Sequence, residues 1–104
     1  MAHYADTSQY SQDEIDLWQQ LQQLQSYTFH TTRGLEFTYH ITGNELFIDR
    51  KEKSITRSTV NMAYKRAVEL MRTEGKVSGP KKLGVFGSSY LLPIFVELGV
   101  CRKE

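Results

Sequence analysis

Between Ser11 and Leu24 the apolar residues fall three and four positions apart: Ile15, Leu17, Trp18, Leu21 and Leu24 share one side, and Gln19, Gln20 and Gln23 the other. That is the period of an amphipathic helix packed on a core. Ser11 stands three residues before Glu14, the spacing of a capping box, and Asp13 and Glu14 suit the positive end of the helix dipole, so a helix should start directly after Ser11. From Tyr27 the period changes to two. Tyr27, Phe29 and Thr31 alternate with polar neighbours, as do Leu35, Phe37, Tyr39 and Ile41, and then Leu46 and Ile48 within Glu45–Arg50. Alternation of this kind marks half-buried strands. A Thr32-Arg33-Gly34 loop pairs Phe29 with Phe37 and Tyr27 with Tyr39, and a Gly43-Asn44 turn pairs Ile41 with Leu46 and Tyr39 with Ile48. All three strands then bury the same face, and a slip of one residue in any of them would destroy that agreement.

Lys51 to Ser54 reads as a polar connection before a second helix, capped by Ser54 or Thr56, running to about Arg72 and stopped by Gly75. Its apolar arc holds Val60, Ala63, Tyr64, Ala67, Val68, Leu70 and Met71. Gly79-Pro80 marks a loop, and Leu83–Phe86 is either a short fourth strand or a buried connector. The last helix should run from about Tyr90 to Leu98 and end at Gly99; Pro93 lacks an N–H, which places the regular start near Leu92 or Pro93. The predicted class is α+β: an N-terminal helix, a three-stranded antiparallel meander and two C-terminal helices on one sheet face, in a single domain over 11–104 behind a disordered tail at 1–10.

Composition changes this picture little. At 104 residues, 39% hydrophobic and 24% charged, the chain can bury one core. A lone cysteine, Cys101, excludes an intramolecular disulfide, and no apolar run reaches the length of a membrane span. Met1–Glu14 lacks a basic region followed by an apolar one, so a cytoplasmic protein without membrane contact is expected. The distribution of charge says more than the net value of +1. Residues 1–49 carry Arg33 against seven acidic residues, hence −6; residues 50–104 carry twelve basic and five acidic, hence +7. Either the two halves attract each other inside the fold or the basic half faces an anionic partner.

The candidate binding residues follow from that asymmetry. Arg50, Lys51, Lys53, Arg57, Lys65 and Arg72, joined by Lys81 and Lys82, can neutralise phosphates, and Asn61 on the same helix edge can read a base edge. Gly87, Ser88 and Ser89, leading into a helix, form a candidate anion-binding turn, although the glycine spacing matches neither the dinucleotide fingerprint nor the P-loop; a tight turn with a serine cap is the plainer reading. His30 and Glu36 face each other across the ladder and His40 faces Phe47, but no ligand pair has metal-site spacing and no nucleophile has a base in context, so neither metal, cofactor nor catalytic residue is expected. The function expected is non-enzymatic binding of an anionic partner, nucleic acid in its sharpest form. The alternative is a protein-interaction or regulatory module of a bacterial cytosolic system, with Phe47 and Met62 as the contacts the core does not need.

Overall fold

Helix α1 (Gln12–Gln23) begins where the capping box requires it. The Glu14 N–H donates to Ser11 Oγ at 3.2 Å, and the Ser11 N–H donates to Glu14 Oε1 at 3.0 Å, so two of the helix's orphan amides are satisfied reciprocally. A computed structural model describes residues 10–103; most of the expected tail lies outside the described residues. Its last residue, Tyr10, belongs to the fold, with its ring 4.1 Å from the Arg57 guanidinium.

The strands keep the expected register and lose the expected continuity. β1 (Phe29–His30) pairs with β2 (Glu36–Phe37), and β3 (Tyr39–Thr42) with β4 (Glu45–Ile48), through Phe29–Phe37, His30–Glu36, Tyr39–Ile48, His40–Phe47 and Ile41–Leu46. Gly34 (φ 88) and Gly43 (φ 60) supply the left-handed residues of the two turns. The chain nevertheless makes a two-stranded and a three-stranded sheet, because the run from Leu35 to Thr42 breaks at Thr38. The Thr38 N–H donates to Asp49 Oδ1 (3.1 Å) instead of a backbone carbonyl. The Tyr27–Tyr39 pair does not form either. The Tyr27 N–H returns to the Leu24 carbonyl, the Tyr39 hydroxyl donates to the Leu21 carbonyl (2.7 Å), and the Ile41 N–H takes Gln25 Oε1 (2.7 Å). The end of α1 thus serves the β3 edge that β1 was expected to cover, and Tyr27 and Leu35 stay about half exposed.

The third strand of the second sheet is β5 (Ile55–Thr56), antiparallel to β4 through Leu46–Ile55. The expected possibility of a strand at 83–86 is corrected: Pro80–Leu83 is a 3₁₀ turn, and Gly84 (φ 67) and Gly87 (φ 82) lie on either side of Val85-Phe86 in conformations that no strand adopts. Helix α2 (Arg57–Glu74) is capped by the Thr56 hydroxyl, which accepts from the Thr59 N–H, and is closed by left-handed Gly75. Helix α3 (Ser88–Glu97) starts earlier than expected and runs through Pro93. The proline removes the donor for the Ser89 carbonyl, and Ser89 is exposed, so water can replace it. Its N-cap is Gly87 with no side-chain cap, which corrects the serine-cap reading.

The core joins Trp18 and Leu21 of α1, Phe29, Phe37, Tyr39, Leu46, Ile48 and Ile55 of the strands, Val60, Ala63, Ala67 and Leu70 of α2, and Leu91, Leu92, Ile94 and Phe95 of α3. Phe29 sits 5.7 Å from Phe37 and 5.8 Å from Tyr39, which welds the two sheets through one aromatic cluster. Val68 departs from its expected place on the apolar arc, being 43% exposed.

Candidate anion-binding surface

The basic positions of 50–72 do not form one face. Arg57 lies between the rings of Tyr10 and Trp18 (4.1 and 5.1 Å), and its Nη1 donates to Asn44 Oδ1 at 3.3 Å. Lys65 Nζ is 3.5 Å from Glu14 Oε2, and Arg72 is held at 2.6 Å by Glu69 of its own helix. Asn61, the expected base reader, is only 6% exposed and its Oδ1 has no hydrogen-bond partner. A side chain so covered cannot meet a base edge. The inner edge of α2 is therefore a seam against the acidic start of α1, with Arg57, Lys65 and Arg72 already engaged.

The remaining cations gather elsewhere. β4 hands the chain to the Lys51–Ser54 connection, and Lys51 and Lys53 bring their ammonium groups to 6.0 and 4.8 Å from the centre of the Phe86 ring, which is 40% exposed. Such contacts are weakly attractive and hold the charges beside the ring without removing them from water. Phe86 is placed by Gly87, whose backbone lies so close to β5 that an added Cβ would come within 2.3 Å of Ile55 Cδ1. Arg50 donates through Nε to the Glu36 carbonyl, tying the same connection to β2. Glu52 is the intervening acid, so the run Arg50–Lys53 carries a net +2.

Past Phe86 the chain enters α3, whose first residues Ser88 and Ser89 line a groove of about 390 Å³ together with Thr31, Thr32 and Arg33 of the β1–β2 hairpin and Lys81 of the 3₁₀ turn. The amides of Ser88 and Ser89 precede the first helical hydrogen bonds, which the Tyr90 and Leu91 N–H groups make to Gly87. Leu35, Pro80 and Tyr90 make much of the lining apolar, while the Thr31, Thr32, Ser88 and Ser89 hydroxyls, two cations and an uncapped helix start offer donors to an anion. Of the expected turn residues, Ser88 and Ser89 share the groove with Lys81 and Gly87 does not line it, whereas exposed Lys82 offers its carbonyl to Arg66 Nε (3.1 Å) and also lies outside the groove. Phe86 and Arg33 were missed in the sequence. An aromatic between two glycines was the available signal for Phe86; Arg33 carried none, because only the folded hairpin brings it to Lys81.

Other chemistry is sparse. His30 Nε2 lies 3.6 Å from Glu36 Oε2 with both side chains in solvent, and His40 stacks on Phe47 at 4.9 Å. Phe47 is half-buried by that stack, which leaves Met62, 60% exposed, as the lone apolar residue of the expected interaction pair in open solvent. Among the described residues no three His, Cys, Asp or Glu side chains converge as metal ligands, and no helix is long and apolar enough to cross a membrane. Burial pushes the Cys101 thiol above its ordinary pKa, which disfavours the reactive thiolate. The class defined by fold and surface is a small α+β domain with a cationic aromatic corner. Comparison with protein families, curated proteins and solved structures gave no significant match, so physical geometry alone carries the functional argument.

Proposed function

We propose that this domain binds single-stranded nucleic acid without catalysing a reaction, at the corner formed by Lys51, Lys53 and Phe86. The observation that carries this is the half-open Phe86 ring with two ammonium groups against it. A base stacks on an exposed aromatic of this kind only when it is free of a duplex, and lysines beside the ring meet the phosphates on either side of it. The groove with Arg33, Lys81, Ser88 and Ser89 begins two residues along the chain from Phe86 and would take the next phosphate.

Fluorescence anisotropy with labelled single-stranded and duplex oligonucleotides at two ionic strengths tests the reading. Single strands should bind more tightly, with log affinity falling by about 0.7 per contacted phosphate for each unit of log salt. Phe86→Ala should weaken binding by about 1 to 3 kcal/mol, the usual contribution of one stacked base. Lys51→Glu/Lys53→Glu should abolish it, and Lys65→Glu/Arg72→Glu should leave it nearly intact. No binding at low salt, or equal binding by the Lys51→Glu/Lys53→Glu protein, overturns the proposal.

A further inference from the structure

A second groove, sharing no residue with the Phe86 corner, runs between α1, α2 and the turn after α3. It is an open groove of about 360 Å³ with a mixed lining: Leu17, Tyr64, Val68, Leu98 and Val100 supply apolar contacts, and Gln20 and the α1 carboxylates supply polar ones. Val68 stands at the edge of the buried arc of α2 and is 43% exposed among the described residues. The rim on α1 is acidic. Asp13 and Asp16 border the groove, neither is in an ion pair among the described residues, and α1 contains no Lys or Arg. Farther along, Lys65 is matched by Glu14 and Arg72 by Glu69, so these cations leave the negative charge of the rim standing.

We infer that this groove docks a peptide segment of another protein in which an aliphatic or aromatic side chain is flanked by Lys or Arg. The apolar side chain covers Val68 and Tyr64, and the flanking cations meet Asp13 and Asp16; charge complementarity selects this occupant over an acidic or uncharged one. The Tyr64 phenol reports the same potential: its pKa is raised by burial first, and then by Asp13, Glu14 and Asp16. The inference is independent of nucleic-acid binding at the other site.

The test uses a fluorescein-labelled peptide with a Leu-Phe pair flanked on both sides by Lys-Arg, and a control with Glu in place of every Lys and Arg. Anisotropy should show the basic peptide binding and the acidic one not. Val68→Glu replaces the exposed apolar contact on α2 with a charge and should weaken binding roughly tenfold. Asp13→Asn/Asp16→Asn should weaken it at low salt and much less at high salt, because exposed charges are screened. Amide shifts in a ¹⁵N spectrum should centre on Tyr64, Val68 and Leu98–Val100. Equal binding of both peptides, indifference to Val68→Glu, or shifts centred elsewhere overturn the inference. Sedimentation showing a self-associated protein that Val68→Glu returns to monomer also overturns it, because the groove would then belong to a second copy.

Discussion

Apart from Arg66, which donates to the Lys82 carbonyl, the basic residues from Lys51 to Arg72 divide into two regions that the fold treats in opposite ways. At the seam between α1 and α2, Arg57 is clasped by two aromatic rings, Lys65 faces buried Glu14 and Arg72 faces Glu69. At the corner beside Phe86, Lys51 and Lys53 meet only the edge of the molecule and one half-open ring. In the first region each cation has a partner within the fold, Lys65 alone pairing with an acid of the N-terminal half; in the second, Lys51 and Lys53 have no ion-pair partner among the described residues. Cations adjacent along a helix are not equivalent once a partner helix chooses among them, and exposure without an internal partner identifies the ones free for a ligand.

The contrast rests on the register that places both regions, and Phe37→Ala is the severest way to break it. Phe37 is 1% exposed in the cluster that joins the two sheets and meets Tyr90 of α3 edge-on at 5.0 Å. Its truncation should lower stability by about 3 to 5 kcal/mol in a urea titration. A midpoint equal to that of the wild type would mean that Phe37 is not in the core.

Gly87→Ala should come next, at about 1 to 3 kcal/mol, the range for a non-glycine residue held in the left-handed region. The added methyl also meets Ile55 Cδ1, so β5 or the start of α3 must shift. Because Phe86 precedes this residue, the variant should weaken oligonucleotide binding along with stability, while leaving the seam intact. Unchanged thermal melting would show that the backbone of Gly87 is not where the structure has it.

What the sequence made legible is local. Ser11 and Glu14 announced the start of α1, Gly75 the end of α2, and Gly34 and Gly43 the hairpin registers, because each feature is encoded within a few residues. The break at Thr38 was hidden, since it arises from the Asp49 side chain and from Gln25 at the end of another element. β5 was hidden too: two residues carry no period, and Ile55 becomes a strand residue only because Leu46 is across from it. The candidate site was legible in its parts, Lys51, Lys53, Lys81 and the Gly87-Ser88-Ser89 turn, but not in its membership. Asn61 and Lys65 sit on the same helix edge in sequence, and only the packed fold buries the first and pairs the second with Glu14 of α1.

Tyr39→Phe probes the join between α1 and the second sheet at about 1 kcal/mol, the usual net worth of a hydrogen bond, here the one to the Leu21 carbonyl. Burial raises the Tyr39 pKa far above the ordinary phenol value of about 10. The unfolded chain therefore ionises first as pH rises, and the stability contributed by the neutral phenol is complete below about pH 10 and declines above it. Tyr64, raised in the same direction, adds to that decline. In chemical denaturation across the alkaline range, the wild type should lose stability more steeply than Tyr39→Phe; parallel profiles would contradict a buried, neutral Tyr39.

The smallest expected effect separates the two regions most directly. Lys51→Glu/Lys53→Glu changes charges that no ion pair of the described residues uses, on side chains in solvent, so its stability should stay within about 0.5 kcal/mol of wild type. Lys65→Glu also alters a side chain in solvent, 73% exposed, but it sets a second carboxylate against Glu14, whose own side chain is 7% exposed and closes the capping box of α1. Repulsion there acts on the helix start, and a loss of about 1 kcal/mol is expected, diminishing as salt screens the exposed partner. Urea midpoints for both proteins at low and high salt decide the matter. A corner variant as damaged as the seam variant would mean that Lys51 and Lys53 are structural, and the distinction between engaged and available cations would fall with it.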